Sequence, residues 1–180
     1  MLPSCFRLFL WPVRVCVVSI SVVTSVLFGV GASAGALAQS SAPTTMTKQS
    51  LTLDGANAMV AAALAKAKDL SLQEVVAVYD ESEILKALVS MDGARVTSVN
   101  FALDKAYTAA RRQAATQDLA DTFASVPAGV MQSFLKQPRL TLLGGGIPIV
   151  VNGQVVGGIG ASGGTLPQDI EVANAGLAAI

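Results

Sequence analysis

The chain has 180 residues, with twelve basic and twelve acidic side chains, two cysteines and no histidine. Without histidine it can hold no Ser-His-Asp triad, none of the usual zinc sites and no imidazole general base. A formal net charge of zero, with no basic tail or dense stripe, also argues against a nucleic-acid partner.

Residues 1–14 carry Arg7 and Arg14 and no acid, 15–30 are almost wholly apolar, and 31–39 are small, with Ala36-Leu37-Ala38 near the end. That order predicts a secretory signal peptide, residues 1–38, cut after Ala38; Ala32-Ser33-Ala34 offers an alternative cut after Ala34. The apolar core between Arg14 and Gly31 is 16 residues, short of the roughly 20 a spanning helix needs, so no stable anchor is expected. Both cysteines, Cys5 and Cys16, leave with the signal, and with them any disulfide or thiolate site. The remaining ten basic and twelve acidic residues give net −2 over 142 residues, a size for one domain, in a periplasmic or secreted protein.

Residues 39–50, "QSSAPTTMTKQS", read as a short flexible lead, and the domain spans 51–180. Leu53, Ala56, Val60, Leu64 and Ala67 recur at helical spacing and predict a helix over 53–69. "EVVAVYD" (74–80) and "ILKALVS" (84–90), joined by the polar "DESE", predict a β-hairpin. "MDGAR" then turns the chain into a long helix over 95–115, whose Ala102, Ala106, Ala109 and Ala110 form a small-residue face able to lie close against a sheet. Thr116 is placed to cap a short helix, "QDLADTFA", and Pro127 to start another, "PAGVMQSFLKQ", ended by Pro138. "RLTLL" (139–143) predicts a strand, broken by Gly144-Gly145-Gly146. "IPIVV" and "QVVGGIGA" flank Asn152-Gly153, a two-residue hairpin turn. Thr165 and Gln168 form a capping-box pattern before the last helix. The expected fold is α+β and profilin-like: about five strands in a mostly antiparallel sheet, covered by helices.

"VVGGIGASGGT" (155–165) fits two catalytic spacings. Gly158-x-Gly160-x-x-Gly163 has the spacing of a dinucleotide turn, which needs a βαβ unit and an acid about 20 residues on; the sequence supplies neither, so no nucleotide is expected. Gly160-x-Ser162-x-Gly164 has the spacing of a nucleophile elbow, but Ser162 has no histidine to activate it. The preferred reading is that these glycines allow another backbone, a helix or a flat ligand to come close. Amides at the Gly163-Gly164 helix start remain candidates for holding an anion.

"MDGAR", "ALDKAYTAA" and "RLTLLGGGIPIVVNGQVVGGIGASGGTLPQD", in that order, resemble the GlcG/HbpS family of haem-degrading or haem-binding domain proteins, over roughly 51–177. The resemblance implies a GlcG-type domain, oligomers of identical chains, and in some exported members a haem or related tetrapyrrole ligand.

If haem is the ligand, Tyr107 or Met91 could ligate its iron and Arg95, Lys105, Arg111 or Arg112 could meet its carboxylates. Lys105, Thr108 and Arg112 share one helical face; its alternative reading is a solvated face. Asp92 in "MDGA" is a candidate polar site residue, or simply a turn residue before Gly93. Gly145, Gly146, Gly163 and Gly164 complete the candidate cofactor-binding set, through backbone amides. Asp80, Glu81 and Glu83 read as a wet acidic turn rather than a cation site. No dedicated acid or base stands out, and oxidative haem breakdown would use the iron's own reactivity. Three roles stay open: a tetrapyrrole-binding protein for capture, storage, sensing or degradation; a binding or accessory protein for a small carboxylate, using Arg/Lys and glycine amides as an oxyanion clamp; and a structural oligomeric module.

Overall fold

The computed structural model describes residues 44–180; the predicted signal peptide and residues 39–43 of the lead lie outside them. Residues 44–50 are exposed and carry no helix or strand, and Lys48 reaches Glu81 at 3.5 Å.

The elements in chain order are α1 (Leu53–Asp69), β1 (Val75–Asp80), β2 (Leu85–Ser90), α2 (Val96–Arg112), α3 (Thr116–Phe123), α4 (Ala128–Leu135), β3 (Gly146–Val151), β4 (Gln154–Ser162) and α5 (Leu166–Leu177). The sheet runs β2-β1-β4-β3, antiparallel throughout. The domain is therefore α+β, as expected, with four strands among the described residues rather than about five.

The missing strand is 139–143. Its backbone is held by a helix side chain instead of a sheet edge: Thr108 Oγ1 donates to the Arg139 carbonyl at 3.1 Å and accepts from the Thr141 amide at 3.0 Å. Arg139 has φ 66°, which no strand tolerates. The predicted cap at Thr116 also differs. Ala115 is the N-cap, and the Thr116 hydroxyl turns to Gly146, accepting from its amide at 3.0 Å and donating to its carbonyl at 3.3 Å. That pair ties α3 to the start of β3. The capping box of α5 is present, with the Thr165 amide donating to Gln168 Oε1 at 2.9 Å. Asn152 (φ 51°) and Gly153 (φ 76°) make the hairpin turn with both residues left-handed.

β1 is buried along its whole length because helices cover both faces of the sheet. Its alternating side chains point to opposite faces. Val75, Ala77 and Tyr79 pack with Ala102, Ala106 and Ala110 of α2; Val76 and Val78 join Ile159, Met59, Ala63 and Val172 beneath α1 and α5. Full burial of Met59, Ile159 or Val172 stabilises by about 1.5–3 kcal/mol each. The α2 layer lies unusually close. A Cβ on Gly160 would stand 2.5 Å from Ala102 O and Ala106 N, and one on Gly158 would overlap Ala106 O. The glycines at 158 and 160 thus admit a helix backbone, and the alanine face of α2 is its counterpart.

Candidate functional site

Close packing of α2 on β4 brings the first half of α2, the end of β4, the start of β3 and the start of α5 together. A cavity of about 220 Å³ opens there, lined by Arg95, Ser98, Phe101, Lys105, Leu143, Ser162, Gly164, Leu166 and Asp169, with Thr97. Its rim is apolar and exposed: Phe101 43%, Leu143 38% and Leu166 41%.

The floor is charged. Lys105 is buried, and its Nζ donates to Asp169 Oδ2 at 2.5 Å and to the Ala161 carbonyl at 3.0 Å. Asp169, in the first turn of α5, accepts from the Gly163 and Gly164 amides with Oδ1 at 3.2 and 2.9 Å. These two amides therefore hold a resident carboxylate, and the anticipated oxyanion clamp keeps only its side-chain cations. Arg95 sits at the mouth, its Nη2 donating to the Gly163 carbonyl at 2.9 Å. Gly145, at φ 113°, seals the floor: a Cβ there would lie 2.8 Å from Asp169 Cβ and 3.1 Å from Lys105 Nζ.

Behind the Gly163–Gly164 loop stands Glu74, fully buried, with neither carboxylate oxygen hydrogen-bonded. A Cβ on Gly164 would be 3.2 Å from Glu74 Oε1. Burial first, and then the Asp169 carboxylate, push the Glu74 pKa up to about 7, against the opposing pull of the Gly164 amide and Lys105. The site holds two buried carboxyls and one ammonium, with Glu74 poised between its two charge states near neutrality.

Of the sequence candidates, Arg95, Lys105, Gly145, Gly163 and Gly164 meet here. Met91 borders the site by a reciprocal pair with Glu74: its sulfur accepts from the Glu74 amide at 3.4 Å and its own amide donates to the Glu74 carbonyl at 3.0 Å. Gly146 is spent on Thr116, as above. Asp92 is exposed in the turn before Gly93. Lys105, Thr108 and Arg112 do share one side of α2, but only its Arg112 end is solvated: Lys105 and Thr108 are buried, while Arg112 is exposed with its guanidinium 5.5 Å from the Phe134 ring centroid.

Tyr107 belongs to another group. Its hydroxyl donates to Glu83 Oε2 at 2.8 Å and accepts from Arg111 Nη1 at 3.0 Å, while Arg111 also donates to Glu83 at 2.9 Å. Tyr79 packs edge-on at 5.7 Å and takes a hydrogen bond from Arg139 at 2.6 Å. The Glu83 bond raises the Tyr107 pKa, so the phenol holds its proton. A separate cavity of about 270 Å³ is lined by Tyr107, Arg111, Gln137 and Pro138. The acidic turn is less wet than its sequence suggests: Asp80 is buried, accepts from the Ser82 and Ile84 amides and pairs with Lys86 at 3.2 Å. Among the described residues, no group of three or more Asp or Glu side chains could hold a metal ion.

The family model for haem degrading protein HbpS-like matches residues 51–178. The chain belongs to the HbpS-like family. A protein from the dhaT-dhaS intergenic region of Citrobacter freundii is 35% identical over 127 residues, 71% of this chain and 89% of that one. The crystal structure of Klebsiella pneumoniae protein ORFY matches with a TM-score of 0.71 and 30% identity, over 77% of this chain and 95% of that one. A PduOC–haem complex matches with a TM-score of 0.68 and 29% identity, over 73% of this chain and 96% of that one.

In this HbpS-like chain, sequence reasoning missed Glu74, Asp169 and the apolar rim. One signal was within reach. Lys105 is the lone charge on an alanine face predicted to lie on a sheet, so it must be buried, and a buried ammonium requires a carboxylate partner.

Proposed function

We propose that this protein binds a tetrapyrrole, haem first among them, at the cavity beneath the glycine loops. The observation that carries the reading is the pairing of an exposed apolar rim, Phe101, Leu143 and Leu166, with a guanidinium at the mouth, Arg95. An amphiphilic ring with carboxylate arms is the chemistry that such a pairing suits. Family membership and the likeness to a PduOC–haem complex support it.

The residues fit the organic part of haem. The rim would take an edge of the ring, and Arg95 would exchange the Gly163 carbonyl for a carboxylate, a stronger, charge-assisted partner. Bound haem would supply the oxidative reactivity of its iron. The chain's own part is to bind, orient and shield: Lys105 and Asp169 brace the Gly163–Gly164 loop from below, and Gly145 lets the floor close. Iron ligation fits less well, since the Tyr107 hydroxyl and the Met91 sulfur are both engaged elsewhere.

Titrating haem into the purified chain tests this. A Soret band that shifts and saturates is expected, with Arg95→Ala weakening binding about tenfold, the value of one charge-assisted hydrogen bond. Free-haem spectra throughout would end the reading. A small carboxylate is the second reading, favoured by Arg95 alone, and thermal stabilisation by a hydroxyacid without haem binding would select it. We further propose that the protein is exported with cleavage after Ala38 and works as a homo-oligomer; N-terminal sequencing and native mass of the secreted form test both.

A further inference from the structure

We propose that this cavity takes up a proton at Glu74 when it captures a carboxylate-bearing ligand. The inference rests on the tetrapyrrole reading and adds a linkage to it. Glu74 is fully buried, with the Asp169 carboxylate and the Gly164 amide near its oxygens, yet among the described residues neither oxygen receives a well-formed hydrogen bond. A carboxylate in that position is costly when ionised and much less so when protonated.

Among the described residues, the charged groups that act on it, Asp169 and Lys105, both line the cavity. Asp169 on α5 repels its charge; Lys105 on α2 and the Gly164 amide attract it. Both attractors are already committed to Asp169 at 2.5 and 2.9 Å. Ionised Glu74 therefore leaves two carboxylates competing for one ammonium and one loop, with a surplus negative charge behind the cavity wall. Arg95, the cation expected to meet the ligand, is bonded to the neighbouring Gly163 carbonyl. A ligand carboxylate drawn to Arg95 enters the field of that surplus charge, and its arrival covers the cavity and removes water that screens it. Both effects favour the protonated acid. Affinity is then highest when Glu74 is neutral and falls as pH rises through about 7.

The test is haem binding by the full chain at about pH 6 and about pH 8, compared with Glu74→Gln, which resembles the protonated acid at either pH. Wild type is expected to bind about tenfold more weakly at the higher pH, a coupling of ordinary size. Glu74→Gln is expected to lose that difference. Calorimetric titration in two buffers of different ionisation enthalpy, both near neutral pH, gives a second reading that needs no variant: net proton uptake on binding by the native chain. An equal pH slope in Glu74→Gln, or binding with no proton uptake, overturns this inference and leaves the tetrapyrrole reading standing. No haem binding at any pH removes both.

Discussion

Replacing Lys105 by Met removes the ammonium from the cavity floor. Lys105 and Asp169 have side chains 2% and 3% exposed. Deleting one partner of a pair so buried costs about 3–5 kcal/mol, most of it the uncompensated charge left behind. Asp169 keeps its two loop amides at 3.2 and 2.9 Å, which favours the lower end, about 3 kcal/mol. The loss should depend on pH. Lys105 is one of the groups holding the Glu74 pKa down, so its removal raises that pKa further. An acid whose folded pKa lies above its unfolded value keeps its full contribution below the unfolded pKa and loses it as pH rises through the folded one. The deficit of Lys105→Met is therefore larger above neutrality than near pH 5. Urea unfolding followed by far-UV circular dichroism at both pH values measures it. The double variant Lys105→Met/Asp169→Asn, which removes both charges while keeping an acceptor for the loop amides, should recover most of the stability. A deficit below about 1 kcal/mol at both pH values, or no recovery in the double variant, would refute the account of a charge-balanced floor.

Three further outcomes follow from the same geometry. Raising the Glu74 pKa from 4.5 to about 7 makes wild type most stable relative to Glu74→Gln below pH 4.5, and the advantage falls away as pH rises through 7, by at most about 3 kcal/mol in all; parallel urea curves across that range would show it. Gly160→Ala sets a methyl group 2.5 Å from the α2 backbone and should cost about 1–3 kcal/mol, seen as a lower Tm. Tyr107→Phe loses the 2.8 Å bond to Glu83 and should cost about 1 kcal/mol while leaving the haem absorption spectrum unchanged; a displaced Soret band would make Tyr107 an iron ligand after all.

What could be read from the sequence was local, and what could not was made by tertiary contact. Helix periodicity, the Asn152-Gly153 turn and the Thr165/Gln168 box each act within a few residues, and each reappears in the fold. The segment 139–143 reads as a strand because Leu140, Thr141 and Leu142 suit one, but it has no strand partner; Thr108, 31 residues earlier, takes over its backbone. Thr116 has the right identity for a cap and the wrong surroundings, since Gly146 offers its hydroxyl both a donor and an acceptor. The candidate site divides in the same way. Arg95, Lys105 and the glycines could be singled out by type and spacing, whereas Glu74 looked like the head of a strand and Asp169 like an ordinary acid in a first helical turn. Their importance comes from separation in sequence, 64 residues between Lys105 and Asp169, closed by one packing fact: Gly158 and Gly160 let α2 settle onto β4. That contact places Lys105 below the surface, where it demands Asp169. Asp169 then occupies the loop amides, and the occupied loop leaves Glu74 without a partner. The glycine stretch that imitates a catalytic motif is thus the cause of the charged floor rather than a part of its chemistry.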